Sequence, residues 1–248
     1  LAYGTGAGGS RSSAMGTAAL VMAADKIIEK GSKIAAVMLE AAVDDIEFED
    51  GRFTIAGTDR SVELADVVRS SFAGSNLPED MEPGMLAHAV YHGKAPSYPN
   101  GCHICEVEVD PDTGVVDVLK YVVVDDFGTI LNPLLVHGQV HGGVAQGVGQ
   151  ILLEDTVYDE DGQLLTASFM DYNMPRADDF CNFEVQANSV PTNTNPLGVK
   201  GVGEAGCVGA MPVMMNAVID ALSPLGIRDI DMPASPARVW AAIRDAKA

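Results

Sequence analysis

The sequence predicts an α+β fold of β-hairpins and mixed sheets packed with helices. Turn signals stand between alternating segments at Asp50-Gly51, at Pro111-Asp112-Thr113-Gly114 and at Asp161-Gly162. Each is the mark of an antiparallel hairpin. Apolar residues at helical spacing fill the segment from Ser10 to Ala41, the stretch after Pro133 and both segments near the end. Hairpins interleaved with helices do not give the strict strand–helix alternation that a doubly wound parallel sheet requires.

Taken in order, "SRSSAMGTAALVMAADKIIEKGSKIAAVMLEA" is Ala-rich and helical, with Ser12 or Ser13 as N-cap. Gly31 is expected to break it into two helices. "DIEFEDGRFTIAG" is the first hairpin and "SVELADVVRSSF" a short helix. Residues 74–101 are rich in Gly, Pro, Asn and Ser, a long irregular stretch. "HICEVEVDPDTGVVDVLKYVVVDDFG" is the second hairpin, and Asn132-Pro133 opens a helix over "LLVHGQVHGGVAQGVGQILLED". "TVYDEDGQLL" is the third hairpin, and a Pro- and Asn-rich run covers 188–198. The glycine loop "GVKGVGEAGCVG" then leads into the apolar helix "AMPVMMNAVIDAL", and "SPARVWAAIRDA" closes the chain as a capped helix. The whole is one domain over 1–248, or two lobes over 1–100 and 101–248.

Fifteen basic against 35 acidic residues give a net charge of -20. That balance argues against nucleic acid or an anionic membrane as partner, because both need basic surface. No apolar run approaches the roughly 18 to 20 residues of a spanning helix and no signal peptide is visible, so a cytoplasmic location without membrane insertion is expected. The start on Leu1 without Met is expected of a fragment or a processed chain. Of the four cysteines, Cys102 and Cys105 form one C-x-x-C, while Cys181 and Cys207 stand alone. The second pair of a zinc ribbon is missing, so reduced thiols and no metal are expected.

Three stretches carry candidate chemistry. Gly4, Gly6 and Gly9 spell G-x-G-x-x-G, but only residues 1–3 precede them and Asp25 falls inside a helix. A dinucleotide-binding unit needs a strand before the glycines, so an NAD-binding oxidoreductase is a weak alternative. In "HGQVHGGVAQGVGQ", Gly138, Gly142, Gly143, Gly147 and Gly149 each cost a helix about 1 kcal/mol relative to Ala. A helix carries so many where a backbone or a ligand must approach closely, and Gln139, Gln146 and Gln150 add neutral donors and acceptors there. His137 and His141 share a face, but Gly138 stands where a zinc helix has its general-base Glu, so packing is the expected role. Glu204, in a glycine loop before an apolar helix, is open between a solvated helix cap and a general base.

The motifs "GSRSS", "VDPDTGVVDV", "VDDFGTILNP", "GQVHGGVAQGVGQ", "SFMDYNMP", "GVKGVGEAG" and "GIRDIDMPASPARVW" together resemble the xanthine dehydrogenase / aldehyde oxidase superfamily of molybdenum hydroxylases. The likeness spans the whole chain. It is nearest the branch of carbon monoxide dehydrogenase large chains and bacterial aldehyde dehydrogenases, and corresponds to the C-terminal half of the molybdopterin-binding subunit. It implies the molybdenum-cofactor-binding fold of that superfamily. The implied activity is oxidation of an aldehyde, an N-heterocycle or carbon monoxide with water as oxygen source, with Glu204 as the base facing molybdenum. It further implies cofactor contacts from Gly9, Ser10, Arg11, Ser12 and Ser13, from Gln139, and from Gly201, Val202 and Gly203 of the Glu204 loop. The cofactor would be molybdenum-molybdopterin, the cytosine dinucleotide form being one option. [2Fe–2S] clusters and FAD would sit on partner subunits or domains. The implied partners are the N-terminal half of the molybdenum subunit, an iron–sulfur subunit and an FAD subunit, in a dimer of heteromers. A non-catalytic cofactor-binding or assembly module of the same fold is the other alternative.

Overall fold

The computed structural model describes residues 6–73, 77–78, 81–93 and 95–247. It divides into two units, one of Met15–Gly93 and one of Leu1–Ala14 with Lys94–Ala248. Gly4 of the opening glycine pattern lies outside the described residues.

In the first unit, helix α1 (Ala18–Leu39) packs on an antiparallel sheet of β1 (Ile46–Glu49), β2 (Arg52–Ile55) and β3 (Ser61–Glu63). Helix α2 (Leu64–Ala73) follows directly. The β1–β2 turn places Asp50 at φ 46° and Gly51 at φ 79°, the paired left-handed residues of a tight hairpin. Ile34, Ala35, Phe53 and Val67 form its buried core. The expected break at Gly31 does not occur, because α1 runs through it without interruption. Gly31 is buried, and a Cβ there would run into the tip of the Phe53 ring. The glycine makes room for an aromatic side chain and does not end the helix.

In the second unit, β4 (Asn100–Val109) and β5 (Val116–Asp126) form the long hairpin turning at residues 110–115. A strand absent from the sequence reading, β6 (Phe183–Ala187), pairs parallel with β5 and makes the sheet mixed. Its five residues are too short a run to declare themselves without the neighbour they pair with. Helix α3 (Pro133–Leu152) starts where Asn132 accepts a hydrogen bond from the Leu135 N–H at 3.2 Å. Helix α4 (Ala205–Leu222) packs along α3 and against β4. Tyr121, Val123, Val140, Val144, Met214 and Val218 lie at the centre of this core. Helix α5 (Pro236–Ala246) begins at Ser235, whose side chain makes no capping bond. The turn at Asp161-Gly162 is held by the single bridge Tyr158–Leu164 and is not a full hairpin.

One sequence expectation needs correction. Ala205–Leu225 is long and apolar enough to cross a membrane by length and composition. In the fold Gly206, Ala210, Met214, Val218 and Leu222 form its buried stripe, repeating every four residues as a core-facing helix does.

Candidate functional site

The chain after Gly9 enters its first helix under strain. Gly9 at φ 56° and Ser10 at φ 55° are both left-handed, and for Ser that conformation costs of order 1 kcal/mol or more. Ser13 and Ala14 N–H groups then bond back to the Ser10 carbonyl at 3.1 and 3.2 Å, and residues Ser12–Thr17 form a π-helical turn. Left-handed non-glycine residues and π turns both concentrate where a backbone is shaped for a ligand. Arg11 lies on the same turn.

Ser10 and Ser13 line a cavity of about 320 Å³ together with Gln139 of α3 and Lys200, Val202 and Gly203 of the glycine loop. Phe127, Ile130, Leu135 and Val136 supply apolar walls, and Asn132 also lines it. A Cβ at Gly201 would sit 3.2 Å from Ser10 Oγ, and one at Gly203 would sit 3.7 Å from Gln139 Oε1. Segments around residues 10, 139 and 202 therefore meet at one place, with glycine thinning the wall between them.

Helix–helix contact brings these pieces to that place. A Cβ at Gly143 would lie 2.8 Å from the Cys207 backbone N, and one at Gly206 would lie 2.6 Å from the Val140 carbonyl. At Gly147 it would lie 2.6 Å from Ala210 Cβ. Glycines on both helices let α3 and α4 touch backbone to backbone, which puts Gln139 beside the loop that opens α4. By contrast Gly138 and Gly142 have open space where a Cβ would go. Among the described residues nothing packs on that outer face to require glycine.

Lys200 is tied down. Its Nζ lies 2.5 Å from Asp126 Oδ2, with the two side chains 12% and 10% exposed. Asp126 also accepts from the Gly128 N–H at 2.8 Å and the Val190 N–H at 3.0 Å. Burial works against the Asp126 charge. The Lys200 bond, then the two N–H groups, outweigh it and hold the carboxyl below its ordinary range.

Glu204 immediately precedes α4, at φ -111° and ψ -7°, and its side chain makes no capping bond. The carboxylate is exposed and does not cap α4 through a hydrogen bond. Glu204 lines a different cavity, of about 340 Å³, with Tyr98, Gly101, His103, Asp125, Ala205 and Val208 among its walls. Ser10 and Gln139 line the first cavity and Glu204 the second, and Gly203 is the residue before Glu204. His103 is buried, with Nδ1 2.9 Å from the Tyr121 hydroxyl and Nε2 3.4 Å from the Asp125 carboxylate.

His103, Asp125 and Lys200 were not singled out in the sequence. Asp125 and Asp126 lie in the quoted "VDDFG" stretch, but nothing in their spacing distinguished one from the other. His141 Nδ1 lies 2.8 Å from the His137 carbonyl and its ring packs on Phe183, which is a packing role. Among the described residues no group of three or more His, Cys, Asp and Glu side chains is placed to hold a metal. The strand after α1, β1, pairs antiparallel with β2, whereas a dinucleotide-binding unit needs a parallel strand–helix–strand crossover.

A model of the molybdopterin cofactor-binding domain family matches residues 1–181. The carbon monoxide dehydrogenase large chain of Hydrogenophaga pseudoflava is 36% identical over 98% of this chain and 30% of its own length. The nicotine 6-hydroxylase large subunit of Paenarthrobacter nicotinovorans is 40% identical over 96% of this chain and 29% of its own. Among solved structures, the Cu,Mo-CO dehydrogenase in its carbon monoxide reduced state superposes with a TM-score of 0.90 at 36% identity, over 99% of this chain and 31% of that one. Quinoline 2-oxidoreductase from Pseudomonas putida 86 superposes with a TM-score of 0.88 at 35% identity, over 98% of this chain and 31% of that one. The chain thus spans about 30% of the length of the relatives it matches. On the family match over residues 1–181, and with the glycine-lined meeting of its three segments, the chain belongs to the molybdopterin cofactor-binding domain family.

Proposed function

We propose that this chain supplies part of the molybdenum-cofactor site of a hydroxylase that oxidises an aldehyde, an N-heterocycle or carbon monoxide, taking oxygen from water. The observation that carries the reading is the convergence of Ser10, Ser13, Gln139, Val202 and Gly203 on one cavity, with Glu204 as the next residue along. The donor set fits a flat, hydrogen-bonding, phosphate-bearing group. Apolar walls suit a fused ring, and the serine hydroxyls and the Gln139 amide orient its polar edge, with the left-handed turn of Gly9 and Ser10 beside them. A chain of charge -20 must hold phosphate through such neutral donors and a few local cations, of which Arg11 is one.

When bound, the cofactor supplies the two-electron redox chemistry and the oxygen derived from water. The chain's own groups do the rest. Gln139 and the 201–203 loop orient the ring system, and Ser10, Ser12 and Ser13 hold its polar arm. Glu204 accepts at its carboxylate the proton that the attacking oxygen gives up. Its exposed carboxylate, free of any capping bond, supports that role.

The relatives are named as a large chain, a large subunit and a dehydrogenase complex subunit gamma. In our reading the chain works within a longer molybdenum subunit beside iron–sulfur and FAD subunits, in a cytoplasmic complex. The test is metal and phosphorus content of the complete enzyme purified natively. Wild type should carry molybdenum and the phosphorus of the cofactor, and Gln139→Ala with Ser13→Ala should lower both together. Unchanged molybdenum in that double variant would remove the cavity from the cofactor site.

A further inference from the structure

We propose that Asp125, held by His103, receives the proton that Glu204 collects in each turnover; this rests on the reading of Glu204 as the base. Glu204, Asp125 and His103 line one cavity of about 340 Å³, which is roomy enough for bridging water between its polar walls. The O–H bond of protonated Glu204 breaks and an O–H bond forms on the Asp125 carboxylate through one intervening water. Glu204 is thereby returned to its carboxylate, Asp125 then gives its proton to water in the same cavity before the next turnover, and no electrons move.

Two adjacent aspartates show the difference between a structural and a working carboxylate. Asp126 is filled by Lys200 and the N–H groups of Gly128 and Val190. The Asp125 side chain is equally withdrawn, at 4% exposure. Among the described residues its one side-chain partner is His103, at 3.4 Å. A carboxylate has about four acceptor positions, so Asp125 keeps capacity to take a proton.

The imidazole is fixed in the orientation this needs. Burial, the largest influence, pushes the Tyr121 phenol upward, so it stays protonated and its O–H donates to His103 Nδ1 at 2.9 Å. The Nε2 side of the ring faces the Asp125 carboxylate and holds it in place. Two bare positions house the pair. A Cβ at Gly101, the cross-strand partner of Asp125, would run into Asp125 Oδ1. One at Gly209 of α4 would lie 2.5 Å from the His103 ring. A buried carboxylate–imidazole pair contributes little net stability compared with apolar packing, so its presence calls for another use. Two thiols stand near the pair. Burial pushes the Cys105 thiol of β4 up to about 12, and it raises Cys207 of α4, with Glu204 the next cause. Among the described residues lining the cavity there is no Lys or Arg.

The test is Asp125→Asn in the complete, cofactor-loaded enzyme. The first turnover should stay within about threefold of wild type, because the relay is needed only to restore Glu204 between turnovers. Steady-state turnover should fall about tenfold or more, with a larger solvent deuterium isotope effect, and added formate should restore it. A second readout is carbodiimide labelling of Glu204, which needs the protonated acid and is followed by peptide mass spectrometry: the labelled fraction during turnover should rise in Asp125→Asn, because the proton is no longer passed on. If Asp125→Asn does not fold, His103→Asn keeps a group for the Tyr121 bond and should give the same split between first and later turnovers. Unchanged steady-state turnover, or a first turnover that falls as far as the later ones, overturns the proposal. Glu204→Gln separates the two levels: an inactive Gln variant beside a normal Asp125→Asn leaves the base in place and removes only the relay, whereas an active one removes the base itself.

Discussion

Gly143 of α3 and Gly206 of α4 meet with no side chain between them, a Cβ on Gly143 falling 3.0 Å from Gly206 Cα. Four residues before Gly143 stands Gln139, and two before Gly206 stands Glu204. The closeness of two backbones therefore sets the spacing between the Gln139 amide and Glu204. Gly206→Ala would force the helices apart or strain them, an overpacking cost of about 1–3 kcal/mol. Thermal unfolding should show a lowered Tm, and activity should fall further than the lost stability explains.

The outer face of α3 should respond in the opposite way. Gly142 has open space beyond it, so Gly142→Ala should gain up to about 1 kcal/mol of helix stability. If cofactor or another part of the longer protein lies against this face, the same change should lower molybdenum content. Melting temperature and metal analysis on one preparation read both effects. A gain in Tm with full molybdenum loading would show that the bare face has no such neighbour.

The Asp126–Lys200 pair sets a pH dependence. The Asp126 carboxyl is held below the ordinary aspartate value of 3.8. A depressed folded value contributes stability that is fully present above 3.8 and is lost as pH falls through the lower folded value. Asp126→Asn should remove that acid-side loss and lower stability at neutral pH, because it leaves the largely buried Lys200 ammonium without its partner. Lys200→Met should show the same weakened acid dependence. Urea unfolding from pH 2 to 7 checks the sign: a stability difference from wild type that does not shrink as pH falls below about 4 would contradict it.

Local signals carried much of this fold. Asp50-Gly51 and the 110–115 turn announce their hairpins because left-handed turn residues act over a few positions. Asn132-Pro133 announces α3 for a similar reason. Gly31 misled because a buried glycine reads alike whether it ends a helix or admits a distant ring, and only the position of Phe53 decides. The strand β6 needed β5 as its partner to be seen. At the site, glycines marked the stretches around Gln139 and Glu204 as places of close approach, while the roles of these residues and of the serine turn rest on the family resemblance. His103 was not, because its meaning lies in Tyr121 and Asp125, 18 and 22 residues away, and in a helix that begins at Ala205.

The central claim is that Glu204 is a base and not part of the scaffold. Glu204→Gln keeps size and most hydrogen bonding but cannot accept a proton. The measurement is kcat of the complete enzyme carrying that change, with molybdenum content and Tm taken on the same preparation. The account predicts metal and Tm near wild type, since the side chain makes no capping bond to lose, with kcat lower by about 10²- to 10⁴-fold or more. Full turnover in a molybdenum-loaded Gln variant would contradict it.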